Sequence, residues 1–180
     1  MNEDSKRKGA RDLAREYVER NDPTGWFEPL YQAARANALT IPWADLRPNP
    51  NAFDWVRKTG LSGAGKTALK VGCGLGDDAE ALAALGFAVT AFDVSATAVG
   101  WARERFPDSK VNYVVADVLS PPADWRAAFD FVLEAYTLQV LPADVRRRAL
   151  ENIAQFVAPG GALLLVCRAR EPADASGQMP

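Results

Sequence analysis

A glycine-rich turn between two apolar runs, within residues 68–93, constrains the fold of this chain more than any other feature. The first run ends at Val71, glycines follow at Gly72, Gly74 and Gly76, and an alanine-rich stretch leads to a second run that ends at Asp93. Glycines allow a sharp turn and close approach to a ligand, and the next helix offers free N–H groups to an anion. A carboxylate after the second strand can bind ribose hydroxyls. The segment therefore predicts a site for a ligand that has a ribose and an anionic group.

From residue 68 onward, apolar runs alternate with helical patterns, which predicts a parallel α/β sheet with helical crossovers. The strands are expected at residues 68–72, 88–93, 111–115, 129–134 and 162–167. Helices are expected at residues 77–85, 95–106 and 143–157, and Ser95 is a suitable N-cap for the second of them. Residues 159–161, Pro-Gly-Gly, are expected to form a turn before the last strand.

The first 59 residues form a separate segment of a different character. Residues 1–9 are polar and are expected to be disordered, whereas residues 10–20, 26–36 and 51–59 have apolar residues at helical spacing. Residues 40–50 contain three prolines, which favours an extended loop. The organisation expected is an N-terminal segment (1–59), a linker (60–67), an α/β domain (68–170) and a flexible tail (171–180).

The composition narrows the possible chemistry. The chain has 180 residues, a net charge of −2 and no histidine, so we expect one domain core without Ser-His-Asp catalysis or histidine-ligated zinc. The charge does not favour a nucleic-acid or membrane partner, and no apolar run is long enough for a membrane span or secretory signal. Its two cysteines lack metal or redox spacing. A cytoplasmic location is the expectation.

Residues 60–67 spell Gly-x-x-x-x-Gly-Lys-Thr, the sequence of a phosphate-binding P-loop. Such a loop functions between a buried strand and a following helix, because the helix N–H groups hold the phosphates. Here the preceding residues are polar and the following residues form an apolar run. The order favours a linker, with a P-loop nucleotide enzyme as the alternative.

The spacing of Gly72, Gly74 and Gly76 resembles motif I of the class I S-adenosylmethionine-dependent methyltransferases. A dinucleotide-binding turn has its third glycine one residue later, which disfavours an oxidoreductase. The resemblance implies a parallel Rossmann-like sheet of order 3-2-1-4-5. That family commonly has an acid two residues before the first glycine, where it supports the loop and the cofactor's amino group. This chain has Lys70 there, and Asp77 or Asp78 is the candidate substitute.

Motifs outside the glycine turn resemble the thiopurine and halide/thiol methyltransferase superfamily. They are Gly25-Trp26, Pro42-Trp43, Pro48-x-Pro50 and Glu134-Ala135-Tyr136-Thr137. The resemblance implies that the N-terminal segment forms a lid over the cofactor. It implies that Trp26, Trp43 and Tyr136 surround the sulfonium, that Asp93 binds the ribose, and that Asp117 with Val118 holds the adenine. The implied cofactor contacts are Trp26, Trp43, Gly72, Gly74, Gly76, Asp93, Val94, Asp117, Val118, Glu134 and Tyr136.

The function implied by this resemblance is methyl transfer from S-adenosylmethionine to a small molecule with a thiol, halide or similar soft nucleophile. Such transfer needs little acid–base help, in agreement with the absence of histidine. If a base is needed, Glu134 and Tyr136 are the candidates.

That family has a further helix and an antiparallel strand pair after strand 5, whereas only residues 168–180 follow here. The resemblance therefore implies a truncated or reduced member, either monomeric or homodimeric. A non-catalytic S-adenosylmethionine-binding domain is the alternative.

Overall fold

Five parallel strands form the centre of the structure, a computed structural model that describes residues 3–169. The strands are β1 (Thr67–Val71), β2 (Ala88–Asp93), β3 (Asn112–Val115), β4 (Phe129–Ala135) and β5 (Val157–Val166). They are paired in the order β3-β2-β1-β4-β5, and every pairing is parallel. Both the α/β class and the strand order predicted from the sequence are confirmed.

Helices cover both faces of this sheet. They are α1 (Glu3–Glu19), α2 (Phe27–Arg35), α3 (Pro50–Thr59), α4 (Asp77–Ala84), α5 (Ala96–Arg105) and α6 (Ala143–Gln155). Buried residues of α1, α2 and α6 pack on one face, whereas those of α3, α4 and α5 pack on the other. Among residues 3–169, no helix combines the length and hydrophobicity that a membrane crossing would need.

The strands supply both cores because successive side chains point to opposite faces. In β1, Ala68 packs with the core of α3, α4 and α5, while Leu69 and Val71 belong to the other core. In β4, Val132 belongs to the core of α1, α2 and α6, and Leu133 belongs to the core of α3, α4 and α5. A strand buried on both faces reads as a continuous apolar run, which is why these strands could be recognised.

Helix α1 begins earlier than the sequence predicted. Residues 3–9 were expected to be disordered, but they continue the helix as far as Glu3. Two contacts explain the difference: the Lys6 ammonium donates to the Asn37 side-chain oxygen at 2.6 Å, and Ala10 is buried in the core. Asn37 lies far from Lys6 in the chain, and the core around Ala10 is formed by residues of other elements. Local composition could therefore not reveal these contacts.

Strand β5 also differs from its prediction. Residues 159–161 were predicted to form a turn, but they lie within the strand, where the pairing with β4 shifts between Phe129 and Phe131. A β-carbon at Gly161 would lie 2.9–3.0 Å from the backbone oxygens of residues 129, 130 and 158. The Pro-Gly-Gly sequence therefore accommodates a bulge and a close backbone approach rather than a chain reversal.

The N-terminal helices are attached to the sheet layer through Glu28 of α2. Its carboxylate accepts hydrogen bonds from the hydroxyls of Ser95 and Thr97, both at 2.6 Å, and from the Thr97 backbone N–H at 3.1 Å. Ser95 is the N-cap of α5, so its hydroxyl also accepts from the Ala98 N–H at 3.0 Å. Glu28 thus joins α2 to the first turn of α5, where a negative charge is favourable.

Replacing Glu28 with glutamine tests this attachment. The amide cannot accept all the bonds of the carboxylate, so Glu28→Gln should lower the free energy of unfolding by about 1–2 kcal/mol in chemical denaturation. Glu16→Gln is the matched control, since Glu16 pairs only with exposed Arg20 one turn away, and it should cost less than about 0.5 kcal/mol. Equal costs for the two variants would contradict the assigned attachment.

The same carboxylate should give a pH dependence. Burial raises the pKa of Glu28, but the hydrogen bonds from Ser95, Thr97 and Gln32 outweigh burial, so its pKa lies below the ordinary 4.5. A lowered folded-state pKa gives stability that is present above the unfolded pKa and is lost as pH falls through the folded value. The stability difference between wild type and Glu28→Gln should therefore be constant near neutrality and shrink below about pH 4.5. A difference that grows on acidification would contradict this.

Candidate functional site

The glycine turn begins directly after β1, and its first residue allows close packing against the segment after β4. Gly72 has φ of +58°, and a β-carbon there would lie 2.3 Å from the Thr137 hydroxyl oxygen. The Thr137 hydroxyl in turn donates to the Val71 carbonyl at 3.5 Å. The turn therefore brings the ends of β1 and β4 together, as neighbouring parallel strands require for a shared site.

Asp93, at the end of β2, holds the other side of this turn. One carboxylate oxygen accepts from the Gly74 N–H at 2.9 Å and the other from the Ser95 N–H at 3.0 Å. The residue is 7% exposed. Burial raises the pKa of Asp93, and the opposing effects are these hydrogen bonds and the charge of Lys70. The backbone N–H of Val94 also contributes a hydrogen bond, and with three donors the carboxylate keeps acceptor capacity for a ligand hydroxyl.

A cleft of two adjoining lobes lies beyond the carboxyl ends of β1, β2, β3 and β4, and each lobe spans about 600 Å³ when the open solvent at its mouth is included. The strand-end lobe is lined by Asp93, Val94, Asp117 and Val118, among others. The glycine lobe is lined by Gly72, Gly74, Lys70, Asp77 and Asp78, among others. The two lobes share a boundary made by Tyr31, Trp43, Gly72, Ala135 and Tyr136. Such a strand-end position is where open α/β sheets bind ligands.

Most of the predicted cofactor contacts thus come together in one cleft, but Trp26, Gly76 and Glu134 do not line it. Trp26 is 3% exposed and stacks on Phe27 with ring centroids 4.1 Å apart, so it supports the cleft wall from behind. Gly76 packs against neighbouring elements instead, since a β-carbon there would lie 2.6 Å from the Tyr113 hydroxyl. Trp26 and Gly76 thus both have packing contacts in the structure, and their predicted ligand contacts stay predictions.

Asp117 and Val118 lie where the sequence predicted, after β3. The Asp117 carboxylate accepts from the Leu119 N–H at 2.8 Å, which fixes its orientation while it lines the strand-end lobe. Val118 is 6% exposed and offers an apolar edge to the same lobe. This pair suits a planar, nitrogen-rich ring.

Tyr136 is placed at the boundary between the lobes by an unusual backbone conformation. Its φ is +67°, a left-handed value that is uncommon for a non-glycine residue and is concentrated at functional sites. Its backbone N–H donates to the Val166 carbonyl at 3.0 Å, and its hydroxyl accepts from the Asn51 amide at 3.4 Å. The neighbouring strand and α3 therefore hold this ring against the cleft.

Glu134 has a different role from the predicted one. It is 1% exposed and does not line either lobe. One carboxylate oxygen accepts from the N–H groups of Thr137 and Leu138, at 2.6 and 3.0 Å. Burial raises the pKa of Glu134, against these hydrogen bonds and the charge of Lys70. This oxygen of its carboxylate shapes the turn that carries Tyr136, and the roles of cofactor ligand and base stay predictions.

Lys70 is buried in the centre of this arrangement, at 2% exposure. Its ammonium donates to the carbonyls of Val71 and Gly72, at 2.7 and 3.1 Å, and lies 3.6 Å from an Asp78 carboxylate oxygen. Burial raises the pKa values of Asp93 and Glu134, and the charge of Lys70 opposes this after the backbone hydrogen bonds. The lysine that stands at the position of the expected acid thus pairs with Asp78 and places a positive charge near two buried carboxylates.

Sequence reasoning missed Tyr31, which contributes to both lobes. Its hydroxyl accepts from the Trp43 indole N–H at 3.2 Å, and burial together with the charge of Asp93 raises its pKa well above the usual range. The only sequence signal was its place on the apolar face of α2 with Phe27 and Leu30. That signal predicts burial but does not predict which surface the ring meets.

Residues 60–66 lie between α3 and β1, and Thr67 is the first residue of β1. A P-loop requires a strand before it and a helix after it. The observed order is the reverse, which removes the P-loop alternative and leaves these residues as a linker.

Comparison with known proteins gives a family match and several relatives. Residues 68–161 match the protein family described as "Methyltransferase domain". The chain is 35% identical, over 78% of its length and 53% of the relative's, to a ubiquinone biosynthesis O-methyltransferase of Aromatoleum aromaticum. It is 37% identical, over 53% of its length and 37% of the relative's, to a carboxy-S-adenosyl-L-methionine synthase of Chromohalobacter salexigens.

A solved structure described as "Conversion of a Disulfide Bond into a Thioacetal Group during Echinomycin Biosynthesis" has the same fold. It superposes with a TM-score of 0.67 at 30% identity, over 79% of this chain and 59% of that one. This chain spans about half the length of the ubiquinone-pathway relative it matches. The match to the methyltransferase family confirms the predicted class I resemblance, whereas the narrower thiopurine and halide/thiol assignment stays a prediction.

The glycine turn provides a stability test with an internal control. Gly72→Ala should cost about 2–4 kcal/mol in chemical denaturation, because alanine disfavours φ of +58° and its methyl would overlap Thr137. Gly100→Ala lies within α5 and its methyl meets nothing within 4 Å, so it should stabilise by about 0.5–1 kcal/mol. The assigned turn geometry would be wrong if both variants were equally stable.

Proposed function

This chain belongs to the methyltransferase-domain family, and on that premise we propose that it binds S-adenosylmethionine and directs its methyl group to a small-molecule acceptor. The observation that carries the proposal is the two-lobed cleft at the carboxyl ends of the strands. One lobe has the acid and apolar groups that suit an adenosine, and the other contains the glycine turn and charged groups that suit an amino acid.

Asp93 is the proposed ribose ligand. It lines the strand-end lobe, its two oxygens are held in place by backbone N–H groups, and the carboxylate keeps capacity to accept a further hydrogen bond. Asp117 and Val118 are proposed to hold the adenine, with Val94 beside them. Gly72 and Gly74 leave room for the amino-acid part in the second lobe.

The aromatic boundary between the lobes is the proposed position of the sulfonium. Tyr31, Trp43 and Tyr136 all contribute to both lobes, and the faces of aromatic rings attract cations. When bound, S-adenosylmethionine supplies a methyl group on a cationic sulfur, and in-line transfer leaves a neutral thioether that needs no proton. The proposed work of these residues is to align the two reactants and to exclude water.

The proposed acceptor is a small molecule with a soft nucleophile, most simply a sulfur. Two observations support it: the chain lacks histidine, and one oxygen of the buried Glu134 already accepts two N–H groups of the turn. A thiolate attacks without a base. The similar structure at 30% identity also concerns sulfur chemistry by its description.

A hydroxyl acceptor is the second candidate, because the relative at 35% identity is named as an O-methyltransferase. A neutral hydroxyl has to lose its proton as it attacks. Among the residues that line both lobes, Tyr136 is the titratable group held in a strained conformation. It is therefore the proposed base for this case.

Calorimetric titration tests the cofactor assignment. The chain should bind S-adenosylhomocysteine, and neither ATP nor NAD should compete. Asp93→Asn should weaken that binding about tenfold or more, because a buried acceptor for the ribose is lost. Asp130→Asn is the matched control: Asp130 also accepts a backbone N–H, from Thr67 at 2.8 Å, but at the opposite end of the sheet. Equal effects of the two variants, or preferred binding of ATP, would contradict the proposal.

A panel of thiols and phenols, with transfer of an isotope-labelled methyl group as the readout, tests the acceptor. Tyr136→Phe should leave the rate of thiol methylation within about threefold of wild type, because a thiolate needs no base. If Tyr136 is the base for a phenol, the rate of phenol methylation should fall about 10²-fold or more. Binding of S-adenosylhomocysteine without product from any acceptor would favour the non-catalytic alternative.

A further inference from the structure

We propose that the outer edge of β5 is a docking surface for a second copy of this chain, with which it forms a closed two-fold dimer by antiparallel pairing of the two β5 strands. In the part of the chain that the structure describes, β5 is the last strand of the sheet and is paired on one side only, with β4. An edge strand carries a row of unpaired backbone N–H and C=O groups, which is a template for pairing with another strand. This inference goes beyond the proposed function and does not depend on which ligand the cleft binds.

The two edges of the sheet differ in how they are protected. At the β3 edge, the strand Asn112–Val115 has four residues, and so short a strand offers little backbone for pairing. At the β5 edge, the strand Val157–Val166 has ten residues and no charged side chain. Pro159 has no N–H and lies in the bulge, so the regular part that can pair is residues 162–166. This part lacks the charges that commonly prevent edge-to-edge pairing.

Exposed apolar side chains lie around this edge in the strand and in both helical layers. Leu165 of β5, Trp55 of α3 and Leu150 of α6 are each 39–40% exposed. Among residues 3–169, the other exposed large hydrophobic side chains are Leu46, at the glycine lobe, and Val115, at the β3 edge. Exposed apolar groups are therefore concentrated at the unprotected edge, as at an interaction surface.

Leu150 lies on the flank of α6 that faces the β5 edge. On the same helix, the Asn152 side chain donates to the Val118 carbonyl at 2.8 Å, and Val118 follows β3 at the far side of the sheet. Successive residues of an α-helix are about 100° apart, so Leu150 and Asn152 lie on nearly opposite flanks. Since α6 also contacts β5, the flank with Leu150 faces outward past that strand.

Trp55 lies on the flank of α3 that faces β5. Its ring is parallel to that of Phe131 in β4, with centroids 6.5 Å apart, so it lies against the sheet. Asn51, one turn earlier on the same flank, donates to the Tyr136 hydroxyl, and the Tyr136 N–H is bonded to the Val166 carbonyl of β5. The exposed part of the Trp55 ring is therefore beside the edge strand.

A second copy covers all three layers at once. Rotation about a two-fold axis perpendicular to the sheet makes the two β5 strands antiparallel and places each helical layer beside the same layer of the partner. The backbone groups of β5 then pair, and the helices of the other copy cover Trp55 and Leu150. A single extended peptide would pair with β5 but would leave both of these side chains exposed.

The charges near the edge are compatible with self-association. Residues 157–166 carry none, and on α6 Arg147 pairs with Glu151 at 3.6 Å. The helix therefore presents both signs to its own copy, so that the two copies can exchange these pairs without net repulsion.

The size of the edge indicates how strong the dimer should be. It measures about 20 Å along α6 and on the order of 25 Å across the three layers. A dimer would then bury on the order of 1,000 Å² in total, which is at the lower limit of specific interfaces. We therefore expect a dissociation constant in the micromolar range.

Sedimentation equilibrium of the full chain, from low micromolar to several hundred micromolar, tests the proposal. Wild type should change from monomer to dimer and no further, because two-fold pairing closes the assembly. Leu165→Lys should weaken the dimer about tenfold or more, because the new charge would lose its hydration in an apolar interface. Val115→Lys is the matched control at the opposite edge and should leave the dimer unchanged. Both positions are exposed, so both variants should fold, which thermal melting checks.

Spin labels on Cys167 test the orientation of the strands. Cys167 is exposed and directly follows β5, whereas Cys73 is buried. In an antiparallel pairing centred on Leu164, Cys167 lies three residues from the centre in each copy, so the two are about 20 Å apart. The distance measured in the labelled dimer should be of that order, and a value more than twice as long would contradict the pairing.

The inference is overturned if wild type stays monomeric throughout, if Leu165→Lys and Val115→Lys weaken association equally, or if association continues beyond the dimer. A monomer that instead binds a labelled peptide of residues 161–168 would assign the edge to an extended-strand partner and would likewise overturn the dimer.

Discussion

The buried ammonium of Lys70 is the interaction on which the rest of the cleft depends. Asp93 ends β2 and Glu134 lies near the end of β4, the two strands that flank β1. They are 7% and 1% exposed, while Asp78 lies 3.6 Å from the ammonium. Buried carboxylates repel one another and lose hydration, so they stay ionised only where a cation or N–H donors compensate. Lys70 supplies that cation, which gives a physical reason for a lysine directly before a glycine turn.

Each of these carboxylates also fixes a part of the backbone that forms the cleft. Asp93 holds the glycine turn through the Gly74 N–H, Glu134 holds the turn after β4, and Asp78 holds Asn49 at the start of α3. On the other side of the cleft, Glu28 joins α2 to α5. The walls are therefore connected by charged side chains rather than by apolar packing alone.

The parts of this account that the sequence predicted are those with local signals. Strands buried on both faces gave continuous apolar runs, and Asp93 ends such a run, so the sheet and the acid proposed for the ribose could both be located. Glu134 and Trp26 have contacts that the sequence did not predict, because their partners come together only by folding: the N–H groups of a turn, and the ring of Phe27. Tyr31 was missed for the same reason.

The central claim is that one ligand occupies both lobes of the cleft at the strand ends. The most direct test is a nitrogen-15 NMR titration of the full chain with S-adenosylhomocysteine, in which backbone amide signals report where the ligand binds. We predict shifts at Gly72, Gly74, Asp93 and Val118, with residues 60–66 unaffected. Shifts confined to residues 60–66, or to one lobe alone, would contradict the account.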